Sequence, residues 1–372
     1  MSDQEREGYD DTPGYYSRTY HSSRLKRHGD HGARPPKEPR QRPARGRTPR
    51  RKRKRGGARR IVRVLVALLV IYLLIYVAIA VISYTKLDRV SALSDYNGRP
   101  AATPGQDWLL VGSDSREGLT KKQQRKLHTG HTGGKRADTM MLLHIPQGGG
   151  KATLVSFPRD SYVPIPGHGH NKINAAYAIG GGKLLTRTIE QVTGIRLDHY
   201  MEIGFGGFVG AVNGIGGVRI CVKRTLHDPV EHETFKKGCH VWKGRKALLY
   251  VRSRHSSARG DFARVEHQRQ FLAALFHKAS SPGTILNPVK FGRLAFASAE
   301  GITVDEHTGL IDLSRLFLTM RSSSNGGVRK LTVPVAGTGY VPGAGSVVQW
   351  DRTKALKLFN QLEHDRKVTV HG

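Results

Sequence analysis

Trp108-Leu109-Leu110-Val111-Gly112-Ser113-Asp114 is a run of four apolar residues broken by a glycine and closed by an acid. A short apolar run bounded by a turn former fits a strand buried on both faces, and the polar residues that follow it then fall at the strand's end. Thr139–Ile145 and Ala152–Phe157 are further strand candidates, joined by the turn at Gly148–Gly150. Outward from these strands the period changes. Leu184–Val192 and the segment after Asp261, where Val265, Leu272, Leu275 and Phe276 fall near one face, read as helices. Asp261 is placed to cap the second. Lys330–Val335 reads as a late strand and Thr353–Leu362 as a last helix. Strands alternating with helices predict an α/β or α+β domain whose central mixed sheet is covered by helices.

Upstream, Val64–Tyr84 is a stretch of 21 residues without a charge. At about 1.5 Å per residue it matches a hydrocarbon core of about 30 Å, so it predicts one transmembrane helix over 61–84. It begins too late in the chain for a cleaved signal peptide and reads as a signal-anchor. Residues 1–60 hold 19 Lys or Arg against 7 Asp or Glu, which places +12 of the formal +32 in this tail. The tail is rich in Gly, Pro, Arg and Ser and lacks the apolar residues to offset the entropy of ordering, so a disordered segment is expected. Its densest part, Arg50–Arg55, keeps it on the cytoplasmic side by the positive-inside rule, and no nucleic-acid partner is needed to explain it. Residues 85–105 then read as a polar spacer, with turn signals at Asn97-Gly98 and Pro104-Gly105, and 106–372 as one exported domain. Cys221 and Cys239 are the only cysteines. In an exported domain they are expected to pair, the other reading being two buried thiols that never meet.

Several chemistries are excluded by missing motifs. No Walker loop, nucleophile elbow, zinc HExxH or paired CxxC is present. His168 and His170 lie in a Gly-Pro loop without other ligands nearby, and Arg259-Gly260-Asp261 stands where a helix starts. What remains is a set of charged residues at the ends of the predicted elements. They are Asp114 and Arg116, Arg136 and Asp138, Arg159, Arg252 and Arg254, then Asp261, Arg264 and Gln268. Arg252 and Arg254 follow the apolar Ala247–Val251 segment two apart, which on a strand puts both on one face. Arg264 and Gln268, four apart on a helix, also share a face. A single surface Arg or Asp is ordinarily only solvated. Together, several guanidiniums offer bidentate donors to phosphate oxygens, and two carboxylates suit a hard cation such as Mg²⁺. Ordinary structural ion pairs are the other reading of the same residues.

The series Val111-Gly112-Ser113-Asp114-Ser115-Arg116, Arg136-Ala137-Asp138-Thr139-Met140-Met141, Ser156-Phe157-Pro158-Arg159-Asp160 and Lys172-Ile173-Asn174-Ala175-Ala176-Tyr177 opens a recognisable order. Val212-Asn213-Gly214-Ile215-Gly216-Gly217-Val218, Tyr250-Val251-Arg252-Ser253-Arg254 and Arg259-Gly260-Asp261-Phe262-Ala263-Arg264 continue it. Over about residues 107–280 the chain resembles the LytR-CpsA-Psr family. The segment between Arg116 and Arg136, with its basic Lys121–Lys126 run, lengthens the loop beside the two acids.

The resemblance implies a catalytic group of Asp114, Asp138, Arg159 and Asp261, with Asp114 and Asp138 on Mg²⁺. It implies that Arg116, Arg136, Arg159, Arg252, Arg254, Arg264 and Gln268 contact a diphosphate. It also implies transfer of a glycopolymer phosphate, of the teichoic acid or arabinogalactan kind, from a polyprenyl-diphosphate carrier to peptidoglycan. Such phosphoryl transfer asks the protein mainly for positioning and charge neutralisation. The glycine-rich stretch Ile203–Val218, with the helix after Asp261, either lines a groove for the polyprenyl tail or is ordinary core. A membrane-bound regulator that only senses the lipid, and a hydrolase of the same diphosphate, are the alternative functions.

Overall fold

The structure, a computed structural model, describes residues 55–114, 136–229, 232–253, 261–323 and 326–370, without the side chains of 55–58 and 261–268. In chain order, α1 (Arg55–Thr85) and β1 (Asp88–Val90) precede β2 (Gln106–Ser113), β3 (Ala137–Ile145) and β4 (Ala152–Phe157). The hairpin of β5 (Tyr162–Ile165) and β6 (Gly169–Lys172) opens onto α2 (Ile173–Thr193), β7 (His199–Ile203) and α3 (Phe205–Gly214). Four short strands follow: β8 (Val218–Val222), β9 (Leu226–Asp228), β10 (Glu233–Phe235) and β11 (Gly238–Trp242). Helices α4 (Gly244–Arg252), α5 (Asp261–Ala279), α6 (Pro282–Ile285) and α7 (Pro288–Ala299) lead to β12 (Ile302–Asp305), α8 (Leu310–Ser322) and β13 (Val328–Thr332). Last come β14 (Val335–Val341), β15 (Gly345–Trp350) and α9 (Arg352–Glu363).

Seven strands form one mixed sheet in the order β1-β12-β7-β2-β3-β4-β13. The apolar run that opens the domain sits at its centre, and its side chains alternate between two cores. Leu109 and Val111 of β2, Met140 and Leu142 of β3, and Val155 and Phe157 of β4 face a layer built from α2 and α9. Trp108, Met141, Leu143 and Leu154 face the other way, against Leu316 and Met320 of α8. Burial on both faces is why these strands are almost continuously hydrophobic rather than alternating. Leu272 and Phe276 of α5 pack on the second core, while Phe271 and Leu275 join a third cluster with Val212, Ile215, Val218 and Trp242.

Three expectations change. Ala247–Val251, read as a strand ahead of Arg252 and Arg254, lies inside helix α4, with all five residues buried. Five consecutive apolar residues fit either period, and only their packing decides. The two arginines therefore do not share a strand face. Residues 85–105 are more than a spacer: β1 pairs in parallel with β12, and the Asp305 carboxylate accepts from the backbone N–H groups of Ala92 and Leu93 at 3.0 Å each. Arg99 reaches back to Glu190 at 2.9 Å. The late strand begins at Val328 and stops at Thr332 instead of running to Val335, which opens β14.

The glycine-rich stretch packs closely on its neighbours, with Ala211 and Val212 buried and Phe205, Phe208 and Val209 half-buried. A Cβ on Gly210 would lie 2.1 Å from the Ala297 carbonyl oxygen and one on Gly207 2.4 Å from that of Gly301, so α3 needs glycine to approach α7 and the turn that follows it. Cys221 and Cys239, cross-strand neighbours in β8 and β11, form a disulfide. His168 and His170 are exposed on the β5–β6 hairpin.

At the start of β2 a buried polar clamp closes the sheet. His144 of β3 bonds Asp107 through Nδ1 at 3.0 Å and Asp365 through Nε2 at 3.1 Å, while Asp365 also accepts from the Gln147 N–H at 2.9 Å. Burial alone pulls the His144 pKa down, but the hydrogen bonds and charges of Asp107 and Asp365 outweigh it and leave it raised. A histidine whose folded pKa is raised stabilises the fold fully below its unfolded value, near 6.5. That contribution is lost as pH climbs through the folded value. Thermal melts should therefore fall as pH rises above about 6.5. In His144→Gln the fall should be shallower, and parallel pH profiles for the two proteins would rule out this clamp as the source.

Candidate functional site

Of the charged residues singled out in the sequence, Asp114, Arg136, Asp138, Arg159 and Arg252 have described side chains, and they lie where β2, β4 and β7 end and β3 begins. Asp114 follows the last residue of β2. Its N–H donates to the Arg136 carbonyl at 2.9 Å, and its carboxylate accepts from the Arg136 N–H at 2.6 Å, so the two residues close the base of the 115–135 segment. Across the strand pair, Gly112 faces Thr139 whereas Ser113 faces Ala137. Asp138 is thus the extra residue of a β-bulge, out of the ladder. Bulges re-aim a side chain and are frequent beside functional sites. The Arg159 guanidinium donates through Nη1 to the Asp138 carboxylate at 3.0 Å and through Nε to Asp160 at 3.4 Å. Lys172 Nζ lies 3.1 Å from the other oxygen of Asp160. The Arg159 loop is held by α2, whose Asn174 N–H donates to the Arg159 carbonyl at 3.2 Å.

Beneath Asp114 lies a buried carboxylate that sequence reasoning missed. Glu202 of β7 accepts from Ser113 Oγ at 2.6 Å, from the Tyr177 hydroxyl at 2.5 Å and from the Tyr200 hydroxyl at 2.7 Å. Burial first, then the Glu202 charge, holds the Tyr200 hydroxyl protonated well above its usual range, so it stays a donor. This network ties α2 and β7 to the end of β2. Tyr177 stands in a quoted motif, but the partner that gives it a task is 25 residues away in sequence. Arg269 was also missed. It crosses from α5 to Ser156 Oγ at 3.0 Å, to Thr332 Oγ1 at 2.8 Å and to the Leu331 carbonyl, fastening the helix to β4 and β13 behind Arg159.

Arg252 closes α4, and its guanidinium lies 4.9 Å over the ring of Phe205, the first residue of α3 after β7. A cation over an aromatic face is held without losing its charge. Arg264 and Gln268 lie on α5 as expected, and Asp261 is the first described residue of that helix. The side chains of Asp261, Arg264 and Gln268 lie outside the described residues, as do Arg116 and Arg254 altogether. Among the described residues no cluster of three or more His, Cys, Asp or Glu is placed to hold a metal.

A mixed sheet between helical layers, with acids and arginines where its strands end, defines the domain as α/β. The chain belongs to the LytR_cpsA_psr family, whose model matches residues 76–364. It is 43% identical over 279 residues to the probable cell wall biosynthesis protein LcpB of Corynebacterium glutamicum, covering 75% of this chain and 65% of that protein. It is 34% identical over 193 residues to a polyisoprenyl-teichoic acid–peptidoglycan teichoic acid transferase, TagT of Bacillus subtilis, covering 49% of this chain and 56% of that one. The matched part thus spans less than two thirds of either relative. A LytR-Csp2A-Psr enzyme from Actinomyces oris shares the fold, with a TM-score of 0.57 at 23% identity over 75% of this chain and 96% of that one.

Glu202 is the least replaceable of the missed residues. Glu202→Gln leaves one oxygen and an NH₂ facing three hydroxyl donors, so it should lower unfolding stability by about 1.5–3 kcal/mol. Tyr177→Phe removes one donor and should cost about 1 kcal/mol. Denaturant titration that finds Glu202→Gln as stable as wild type would show that the network does not hold the end of β2.

Proposed function

We propose that this chain is a membrane-anchored phosphotransferase that moves a glycan phosphate from a polyprenyl-diphosphate carrier to a hydroxyl of peptidoglycan. The observation that carries the reading is the Asp138–Arg159 pair on the β-bulge, set beside Asp114 at the edge where the strands end. The names of the relatives support it, since they speak of cell wall biosynthesis and of teichoic acid transfer to peptidoglycan. Helix α1 supplies the anchor: it is the one described helix long and apolar enough to cross a membrane, and the basic tail before it favours the cytoplasmic side.

In this reading Arg159 and Arg252 bind phosphate oxygens together with Arg116, Arg136, Arg254, Arg264 and Gln268, and Asp261 stands nearby. The Asp138 carboxylate orients Arg159 in the ligand-free protein. When a polyanion arrives, the guanidinium is already aimed at the edge of the sheet and little reorganisation is required. The acid pair fits Mg²⁺, which is commonly bound by one or two carboxylates and shares its other positions with water and substrate phosphates. Bound there, it would supply charge neutralisation for a diphosphate leaving group. No covalent nucleophile is called for.

The test is coupling of a polyprenyl-diphosphate glycan to peptidoglycan oligomers by the full chain in detergent with Mg²⁺. Wild type should form the phosphodiester product. Asp138→Asn, which keeps the shape and removes the charge, should lose about 1.5–3 kcal/mol of transition-state stabilisation, roughly tenfold to a hundredfold in rate. Its melting temperature should remain near that of wild type. Release of glycan phosphate without coupling would instead make the protein a hydrolase, and wild-type turnover by Asp138→Asn in chelator would remove the acid pair from the mechanism.

A further inference from the structure

Helix α1 does not stand clear of the domain. Two of its tyrosines, one turn apart, donate to backbone carbonyls at the α6–α7 corner: Tyr72 to Leu286 at 2.7 Å and Tyr76 to Ile285 at 2.5 Å. Above them the Tyr76 and Phe291 rings lie 5.1 Å apart, a methyl on Gly292 would rest 3.5 Å from Ile79, and Lys86 Nζ lies 5.4 Å over the Phe296 ring. Helix α7 therefore runs alongside α1 in the same direction, from the level of Tyr76 to that of Lys86. Asn287 caps α7 by accepting from the N–H groups of Val289 and Lys290 at 3.1 Å each, with Pro288 at the first turn.

These contacts fix a depth. The charge-free run Val64–Tyr84 is 21 residues, about 31 Å, and the hydrocarbon core is about 30 Å, so the helix has no slack along the membrane normal. Tyr76 and Tyr72 lie about 12 and about 18 Å below Tyr84 along the helix axis. Sliding α1 outward until Tyr72 reached the surface would leave only the eight residues Val64–Ile71 in place of the run and pull Arg63, Arg60 and Arg59 into hydrocarbon. Tilt shallows the depth without removing it. The corner's composition suits such a place: Leu286 and Val289 are 66% and 61% exposed among the described residues. Lys290 and Arg293 are exposed on the same helix, where long basic side chains can rise to lipid phosphates.

We infer that the α6–α7 corner is a second membrane contact, with Leu286 and Val289 seated among the acyl chains of the leaflet facing the domain and Lys290 and Arg293 on anionic headgroups. The domain is then held in one orientation over the bilayer, its position set by α1 and α7 together and not by a loose tether. The inference rests on the reading that α1 crosses the membrane.

The two are separated by fluorescence quenching of the full chain reconstituted in vesicles containing phosphatidylglycerol. The native cysteines are joined to each other, so a single introduced thiol can be labelled without reduction. An environment-sensitive dye is placed in Leu286→Cys, in Val289→Cys, in Leu74→Cys on the exposed side of α1 and in Tyr340→Cys, 78% exposed on the β14–β15 hairpin. Labels at 286, 289 and 74 should be quenched by doxyl lipids and shielded from iodide several-fold relative to the label at 340. If 74 is lipid-quenched while 286 and 289 meet iodide as freely as 340, the second contact is wrong and the anchor stands. If 74 itself meets iodide, both fall.

Discussion

Leu109, Val111, Met140 and Leu142 fill one core while Trp108, Met141, Leu143 and Leu154 fill another, so the middle of the central sheet has no solvated face. A charged side chain in the body of such a sheet would have to be desolvated, at a cost of several kcal/mol unless paired. The ends of the strands are where charge can reach water and ligand. The described residues proposed for the site obey that constraint: Asp114 is just past β2, Asp138 is the second residue of β3, Arg159 is two residues beyond β4, and Arg252 leans on the residue that starts α3 after β7. Where a carboxylate is buried inside the sheet, at Glu202, three hydroxyl donors surround it.

The two ends of β2 are treated differently. At its start the polar groups are buried and mutually satisfied, with His144 between Asp107 and Asp365 and the Asp107 N–H donating to Asp198 at 2.8 Å. At its finish the groups are partly exposed, and side-chain exposures of 18% for Arg159 and 30% for Asp138 leave them open to exchange partners with a polyanion. Ion pairs of this intermediate kind are held by geometry more than by energy, since solvent screens them. The bulge and the α2 contact to the Arg159 carbonyl supply that geometry. Helix α1 extends the same economy of position outward, because its tyrosines fix the domain against it at a stated height.

Much of this was legible in the residues. The apolar runs at 108–111, 139–145 and 152–157, the periodicity after Asp261 and the charge-free run 64–84 each carry their own signal, since burial on two faces, on one stripe or in lipid demands a distinct pattern over a short window. The acids and arginines at the strand ends were legible for the same reason: polar residues directly after an apolar run mark where burial stops. Ala247–Val251 was not, because an unbroken apolar run has no period and its helical state comes from packing against β11, α3 and α5. The spacer was misread because a three-residue strand such as β1 is too short to show a pattern at all.

Sequence by itself determined the layered α/β architecture, the long apolar helix, the cysteines available for pairing and the set of charged residues proposed for a phosphate site. Tertiary structure decided which of them meet. It put Asp138 out of register on a bulge, joined it to Arg159, set Glu202 under Ser113 and Arg269 behind Ser156, and laid α7 along α1. Local composition specifies an element because its burial pattern is written in neighbouring residues. Contacts such as Tyr177 to Glu202, or Tyr72 to Leu286 across 214 residues, depend on the order in which strands pair and helices cross, and no short window contains that order.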